Sequence, residues 1–433
     1  MREVISLHIG QAGVQIGGAL WELYCAEHGI EPNGELEKEK EHSMGLGSFF
    51  RSLPNGKFTP RTIFADLEPT VIDELKTGKY KNLYSNSFIE GDEDAANNYA
   101  RGYYTVGRQS VQKTMEAIRD KIAGCEQCQG FMIYHSLGGG TGSGFVASLL
   151  EEIVTDYPKH GLLEIAIYPS PTMSTAVVEP YNTILSTHCT METSKCVVLT
   201  DNESMYKICT DKLEIDQPNY KNINGVLAQA VSAMTTGMRF EGDLMADFLD
   251  FQTNLVPFPR LHFPIVSLAP VIGNTVTEKE PSTIPELTGK CFDSSYRLTN
   301  CDNEWGKYIS CCLMYRGDVT PKDINESLAS IKSRKNINFV EWCPTGFKVS
   351  INSQAPASLD GDESCRVKRS VCMLCNNTSI KDSWQSLVRK YDAMTAKGAF
   401  YHWYLGEGME QSEFFEAGEN IKTLVKDYEE LLV

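Results

Sequence analysis

The run Gly138-Gly139-Gly140-Thr141-Gly142-Ser143-Gly144 decides the reading of the fold. It follows Phe131-Met132-Ile133-Tyr134, which reads as a strand, and leads into an amphipathic helix expected from Phe145 to Tyr157. Glycine disfavours helix and strand interiors and is kept where backbone must approach something closely. At a strand-to-helix junction, backbone N–H groups and the positive end of the helix dipole converge, so an anionic phosphate fits there. A flexible linker does not sit between a buried strand and an amphipathic helix. No Gly-Lys-Ser/Thr closes the run, so it is not a Walker A loop. Gly142 to Ala147 does satisfy GxGxxA, which keeps open a dinucleotide enzyme with Glu164 as its ribose acid. The preceding glycines, Gly138 to Gly140, favour a triphosphate loop instead.

Around this run, short apolar stretches alternate with longer amphipathic ones, the pattern of βα units on a largely parallel sheet. Val4 to Ile9 reads as the first strand, and Gly10-Gln11-Ala12-Gly13 turns into a helix reaching about His28. Thr62 to Ala65, Leu163 to Tyr168 and Cys196 to Leu199 read as further strands. A helix starting near Asn202 is expected to bridge to a second region, where strands and helices mix as far as about Leu374. Ile380 to Val433 reads as two long helices, broken near Gly398, Gly406 and Gly408. Three domains follow: 1–201, 202–379 and 380–433. Glu407, Glu410, Glu413 and Glu416 place carboxylates along one side of the last helix, either as a solvated face or as a docking surface for basic partners.

At 433 residues the chain exceeds one hydrophobic core. Its 42% apolar and 22% charged residues describe a folded rather than a disordered chain. A net charge of −17 opposes binding to nucleic acid and anionic lipid and favours basic partners. No window nears the roughly 18 apolar residues of a membrane span, and Met1-Arg2-Glu3 does not open a signal peptide. A cytoplasmic protein is expected, its fourteen cysteines being thiols. Cys125-x-x-Cys128 and Cys372-x-x-Cys375 resemble two halves of a zinc site, yet the second lies in an apolar strand and no histidine follows either at ligand spacing.

GGGTGSG at Gly138 to Gly144 resembles the signature of tubulins. MREVISLHIGQAGVQIG at the start, DLEPTVID from Asp66, EDAANNYARG from Glu93, STAVVEPYN from Ser174, FQTNLVPFPR from Phe251 and WCPTGFK from Trp342 resemble the same family in the same order. Asp250, an acid ahead of FQTN, and the long segment from Ser353 to Arg366 resemble the α type. The resemblance implies an α/β fold: a Rossmann-like GTPase domain, a mixed α/β intermediate domain and a C-terminal helical pair.

By motif, the resemblance implies GTP contacts at Gln11, Gln15, Asn97, Ser136, Gly138, Gly139, Gly140, Thr141 and Gly142. Thr175, Glu179, Asn202, Tyr220 and Asn224 would hold ribose and guanine, with the asparagines pairing the base edges and Tyr220 stacking on the base. Taken singly, each asparagine reads as readily as a turn or cap residue. Glu68, with Asp66 beside it, would hold Mg²⁺ directly or through water. Further implied are a heterodimer with β-tubulin, incorporation into cytoplasmic microtubules, and motor or associated proteins on the C-terminal helices. The nucleotide of the α type is kept at the dimer contact, and an acid ahead of FQTN acts on the GTP of the next subunit.

Here that acid is Asp250, one methylene shorter than the family's glutamate, so slower hydrolysis is expected. Met245 stands where the family usually has an asparagine facing the partner's nucleotide, a thioether in place of a hydrogen-bonding group, and Asn274 to Pro281 lacks the aromatic and histidine pair expected at lateral contacts, so altered side-by-side contacts are expected. Lys40, or Lys38 equally, falls where α-tubulins carry an acetylated lysine, and also reads as a solvated lysine. The ending Leu431-Leu432-Val433 lacks a glutamate-rich, tyrosine-terminated tail, so the tyrosine cycle is not expected.

Overall fold

The computed structural model describes residues 2–37, 45–84, 86–170, 172–242, 244, 247–273, 282–301, 306–334, 337–343, 346–359 and 365–432. Met245, Lys38, Lys40 and the loop 274–281 lie outside the described residues, as does 360–364 within the segment from Ser353 to Arg366.

In chain order the first half comprises β1 (Glu3–Ile9), α1 (Gly10–His28), β2 (Phe50–Ser52), β3 (Phe58–Pro60), β4 (Thr62–Asp66), α2 (Thr70–Thr77), β5 (Phe88–Glu90), α3 (Val106–Ala123), β6 (Cys128–Ser136), α4 (Val146–Asp156), β7 (Gly161–Tyr168), α5 (Glu179–Thr190) and β8 (Val197–Asp201). Then come α6 (Asn202–Asp211), α7 (Tyr220–Arg239), α8 (Phe248–Leu255), β9 (Ile265–Ala269), α9 (Ile284–Cys291), β10 (Tyr308–Gly317), α10 (Pro321–Ser333), β11 (Phe347–Asn352), β12 (Arg369–Asn377), α11 (Ile380–Thr395), α12 (Tyr401–Leu405) and α13 (Gln411–Glu430).

β1, β7 and β8 are buried along their whole length, which is why they read as mainly apolar runs rather than as alternating ones: parallel strands covered on both faces have no solvent side to show. Among the described residues, ten strands form one sheet in the order β11-β10-β12-β9-β8-β7-β6-β1-β4-β5. From β8 to β5 every pair is parallel, and β12 runs antiparallel to both β9 and β10. At the seam between the two halves β8 and β9 pair in parallel at Leu199 and Ile265, and the Val197 and Leu199 amides donate to the His262 and Pro264 carbonyls.

α6, the helix expected to bridge onward from Asn202, ends at Asp211 after ten residues. The long element that spans the halves is α7, which packs on α1 and against β9, β10, β11 and β12. Its apolar positions face the core over twenty residues, and an Asn219–Asn222 capping box starts it.

The C-terminal helices break where the glycines said they would, between α11 and α13. α13 buries Phe414, Ala417, Gly418, Ile421, Leu424, Val425 and Tyr428, a helical stripe laid on α5 and α11. The glutamate series is corrected by the structure. Glu407 and Glu410 precede the helix, and Glu410 caps it. Glu407 pairs with Arg101 and accepts the Thr105 hydroxyl, while Glu413 accepts the Tyr104 hydroxyl at 2.6 Å. A three-residue spacing rotates 60° per step, so these acids do not line one solvent face. Among the described residues, no helix is long and apolar enough to cross a membrane.

Candidate functional site

The parallel strands β1, β4, β6 and β7 end at one edge of the sheet, and the loops leaving them enclose a cleft of about 450 Å³. Its walls bring together residues drawn from the whole first half of the chain. Gln11 and Gln15 come from the first turns of α1, Glu68 from the loop after β4, and Asn97 from the loop ahead of α3. Ser136, Gly138, Gly139, Gly140, Thr141 and Gly142 follow β6, and Thr175 and Glu179 precede or start α5. Asn202 begins α6, and Tyr220 and Asn224 come from the first turns of α7. Every residue singled out for the cleft from sequence therefore lines this one space.

The glycine run does not open a plain α-helix. Thr141–Phe145 forms a wide π turn before α4, and Arg101–Thr105 forms another before α3. The two turns lie back to back on glycine. A Cβ on Gly144 would fall 2.0 Å from the Tyr99 carbonyl oxygen, and one on Gly102 2.4 Å from that of Gly140. Gly142 is similarly blocked by the Ser136 carbonyl at 2.3 Å. Crowding by protein backbone, rather than by ligand, thus explains part of the run, whereas Gly139 has open space where its side chain would be.

α1 starts without a side-chain cap. Its first N–H groups, beside Gln11 and Ala12, are therefore free for an anion from the cleft.

Two carboxylates fix the loop over the cleft. Glu179 accepts from the Thr175 amide (3.1 Å), the Thr175 hydroxyl (2.9 Å) and the Ser174 hydroxyl (2.8 Å). Glu203 accepts from Ser170 (2.6 Å) and Thr172 (2.5 Å). Burial would raise the Glu203 carboxyl, but these hydroxyls and Lys207 outweigh it and hold it at about 2.

The floor holds Asp66, which is buried. One carboxylate oxygen accepts the Leu67 amide at 2.8 Å, and the other has no hydrogen-bond partner. Burial lifts this carboxyl to about 7 against the Leu67 hydrogen bond, with Glu68 adding like charge. A buried, orphaned carboxylate oxygen beside Glu68 and Asp94 fits a hard divalent cation bound by few protein oxygens and several phosphate or water oxygens.

Sequence reasoning missed Asn182 on α5. Its buried amide donates to the carbonyls of Asn97 (2.7 Å) and Gly138 (2.8 Å), and its oxygen accepts from the Tyr99 amide (3.0 Å) and the Tyr404 hydroxyl (2.8 Å). One side chain therefore ties two cleft loops to the C-terminal helices. Asn182 sits inside EPYN, but no local pattern distinguishes it there from a helix-surface residue.

Glu164 is excluded as a ribose acid by its place in β7. It is buried against His135 Nε2 at 3.1 Å and against the Ser194 hydroxyl, away from the cleft lining.

Asp250 lies at the other edge of the sheet. Gln129, at the start of β6, donates to Asp247 at 3.2 Å, and Gln252 donates to the Leu162 carbonyl at the start of β7 at 2.9 Å. α8 therefore crosses the strand beginnings while the cleft crosses the strand ends, about 23 Å apart at 3.3 Å per residue. Asp250 closes a capping box with Asp247, accepting its amide at 3.0 Å, and faces Lys348 Nζ at 3.3 Å. Exposed apolar side chains flank both edges: Met173, Val177, Tyr220 and Trp403 near the cleft, and Leu244, Leu249, Phe258 and Trp342 near α8.

A mostly parallel sheet whose strand ends carry a glycine-lined cleft over a buried acid defines a nucleotide-binding α/β protein. Residues 3–210 match the Tubulin/FtsZ family GTPase domain, and residues 259–389 match the tubulin C-terminal domain. These matches together span well over half of the sequence, and the chain belongs to the tubulin family. GTP is the nucleotide that this family's domain binds, and hydrolysis is within its capability.

Proposed function

We propose that this chain is an α-tubulin-like subunit that pairs with a β-type subunit, keeps GTP in its own cleft and presents Asp250 to the GTP of the next subunit. The observation carrying this reading is that the cleft and α8 stand at opposite edges of the same parallel strands, each flanked by exposed apolar residues. Two different patches on opposite ends make a head-to-tail contact, which repeats into a filament rather than closing a pair.

In this reading Gln11, Gln15, Asn97, Ser136 and the loop Gly138 to Gly142 hold the phosphates, Thr175 and Glu179 the ribose, and Asn202, Asn224 and Tyr220 the base. Mg²⁺ would be held by Glu68 and Asp66 and would neutralise phosphate charge when bound. Asp250 would orient water only when a neighbour brings its nucleotide to α8, so turnover depends on assembly. The three regions 1–201, 202–379 and 380–433 would serve nucleotide binding, partner contact and the docking of basic filament-associated proteins. A cytoplasmic filament is the setting this assigns.

A second reading, a subunit with weakened activation, is favoured by Asp250 itself. Its shorter side chain is already engaged by the Asp247 amide and by Lys348. Purified chain should release guanine nucleotide on denaturation and sediment with β-tubulin as polymer. A nicotinamide dinucleotide in the extract, or a chain left in the supernatant, overturns the first reading. Asp250→Glu should raise phosphate release per polymerised subunit, and equal rates would remove Asp250 from the reaction.

A further inference from the structure

Outside both the cleft and α8, a pair of thiols sits where α3 ends and β6 begins. Cys125 and Cys128 flank a bend at Glu126 and Gln127. The Glu3 carboxylate pins that bend, accepting the Glu126 amide at 3.0 Å and the Gln127 amide at 2.8 Å. Opposite Glu3 the β6 register slips by one residue, Glu3 facing Cys128 and Val4 facing Gly130. The pinned bend sets the two thiols one on either side of it, Cys125 Sγ donating to the Lys121 carbonyl at 3.3 Å and Cys128 Sγ to the Gly130 carbonyl at 3.8 Å.

The surroundings are cationic. The buried Arg61 places Nη1 3.3 Å from Cys125 Sγ and donates to the Gly124 carbonyl at 3.1 Å, and its Nη2 lies 3.6 Å from Glu3. The Arg51 guanidinium crowds Gly124, where a Cβ would lie 2.7 Å from Nη1. Both thiols are half-buried, open to a small reagent, whereas Cys372, Cys375 and Cys311 are sealed between β10 and β12.

We propose that Cys125 and Cys128 form a hydroperoxide-reactive dithiol that closes into an intramolecular disulfide. In the first step the Cys125 thiolate attacks the peroxide's outer oxygen. An S–O bond forms, the O–O bond breaks, and the alkoxide leaves and is protonated to alcohol. In the second, the Cys128 sulfur displaces that oxygen. The S–S bond forms, the S–O bond breaks, and the oxygen leaves as water with the Cys128 proton. Two thiols and one hydroperoxide thus give one disulfide, one alcohol or water from the peroxide, and one further water. The two sulfurs lose two electrons and the peroxide gains them. The same contacts support the order of attack. The neighbouring Cys128 thiol, with the Arg61 guanidinium 3.3 Å from Cys125 Sγ, draws Cys125 down to about 7 against burial, while Cys128 is raised.

The test uses the reduced full chain exposed to hydrogen peroxide, then blocked with iodoacetamide and digested. The peptide holding both cysteines should resist alkylation and run two mass units light, forming at least about tenfold faster than oxidation of Cys372 or Cys375, as accessible thiolates require. Cys128→Ser should leave a sulfenic acid on Cys125 that dimedone traps, and Cys125→Ser should leave Cys128 unreactive. Full alkylation of both cysteines after peroxide, or a disulfide from either to another cysteine, overturns the proposal. So does Cys128→Ser without trappable sulfenic acid while circular dichroism shows it folded.

Discussion

Two buried carboxylates near opposite ends of α1 behave in opposite ways. Glu27, near the C-terminal end, is met by Arg239 at 2.6 Å, Arg316 at 2.8 Å and the Ser232 hydroxyl at 2.8 Å. Arg239 also lies over the Tyr24 ring, 4.1 Å from its centre. Burial would raise the Glu27 carboxyl, but Arg316 and Arg239 outweigh it and hold it at about 2. Asp66, across from the N-terminal end of α1, keeps an oxygen with no partner and is lifted to about 7. Burial with every lone pair met holds a fold together. Burial with one left over leaves an oxygen able to accept from water or to meet a cation.

The difference can be broken most sharply at Glu27. Glu27→Ala leaves two guanidiniums buried without their anion, and equilibrium unfolding in urea should show a loss of about 3–5 kcal/mol. A loss below about 1 kcal/mol would mean that the cluster is not structural. Asn182→Leu should cost roughly 1–3 kcal/mol, because the Asn97 and Gly138 carbonyls and the Tyr99 amide lose their partner together. It should also speed nucleotide release in a stopped-flow chase.

Asp66→Asn should behave as Glu27→Ala does not. It retains the acceptor for the Leu67 amide and removes a buried charge, so the melting temperature of nucleotide-free protein should hold or rise. Mg²⁺-dependent GTP affinity should fall about tenfold or more, read by calorimetry. A fall in melting temperature matching that of Glu27→Ala would erase the distinction between the two acids.

The smallest effect is in pH. The folded Glu27 carboxyl lies below its ordinary 4.5, so its stabilisation is complete above that value and fades as the pH drops toward about 2. Urea midpoints measured across that window should slope less in Glu27→Gln than in the parent chain.

Much of the fold was legible because it is written locally. Strand–glycine–helix order, the α1 helix from Gly10 to His28 and the break before α13 each depend on residues within a few positions of one another. The cleft lining was legible through motif order, since each loop at a strand end carries its own short signature. The glutamate series misled because a three-residue repeat says nothing about where a helix starts. Asn182 went unseen because its partners at 97, 99, 138 and 404 are gathered only by folding.

By itself, then, the sequence determined that a glycine-rich loop follows a parallel strand, and that an acid, Asp250, stands directly ahead of FQTN. The tertiary structure alone decided which buried acid is paired and which is not, and that α8 and the cleft occupy opposite edges of the sheet. The reason is one of range: backbone geometry answers to near neighbours, whereas a charge at position 27 is satisfied by residues 239 and 316, which only packing brings to it.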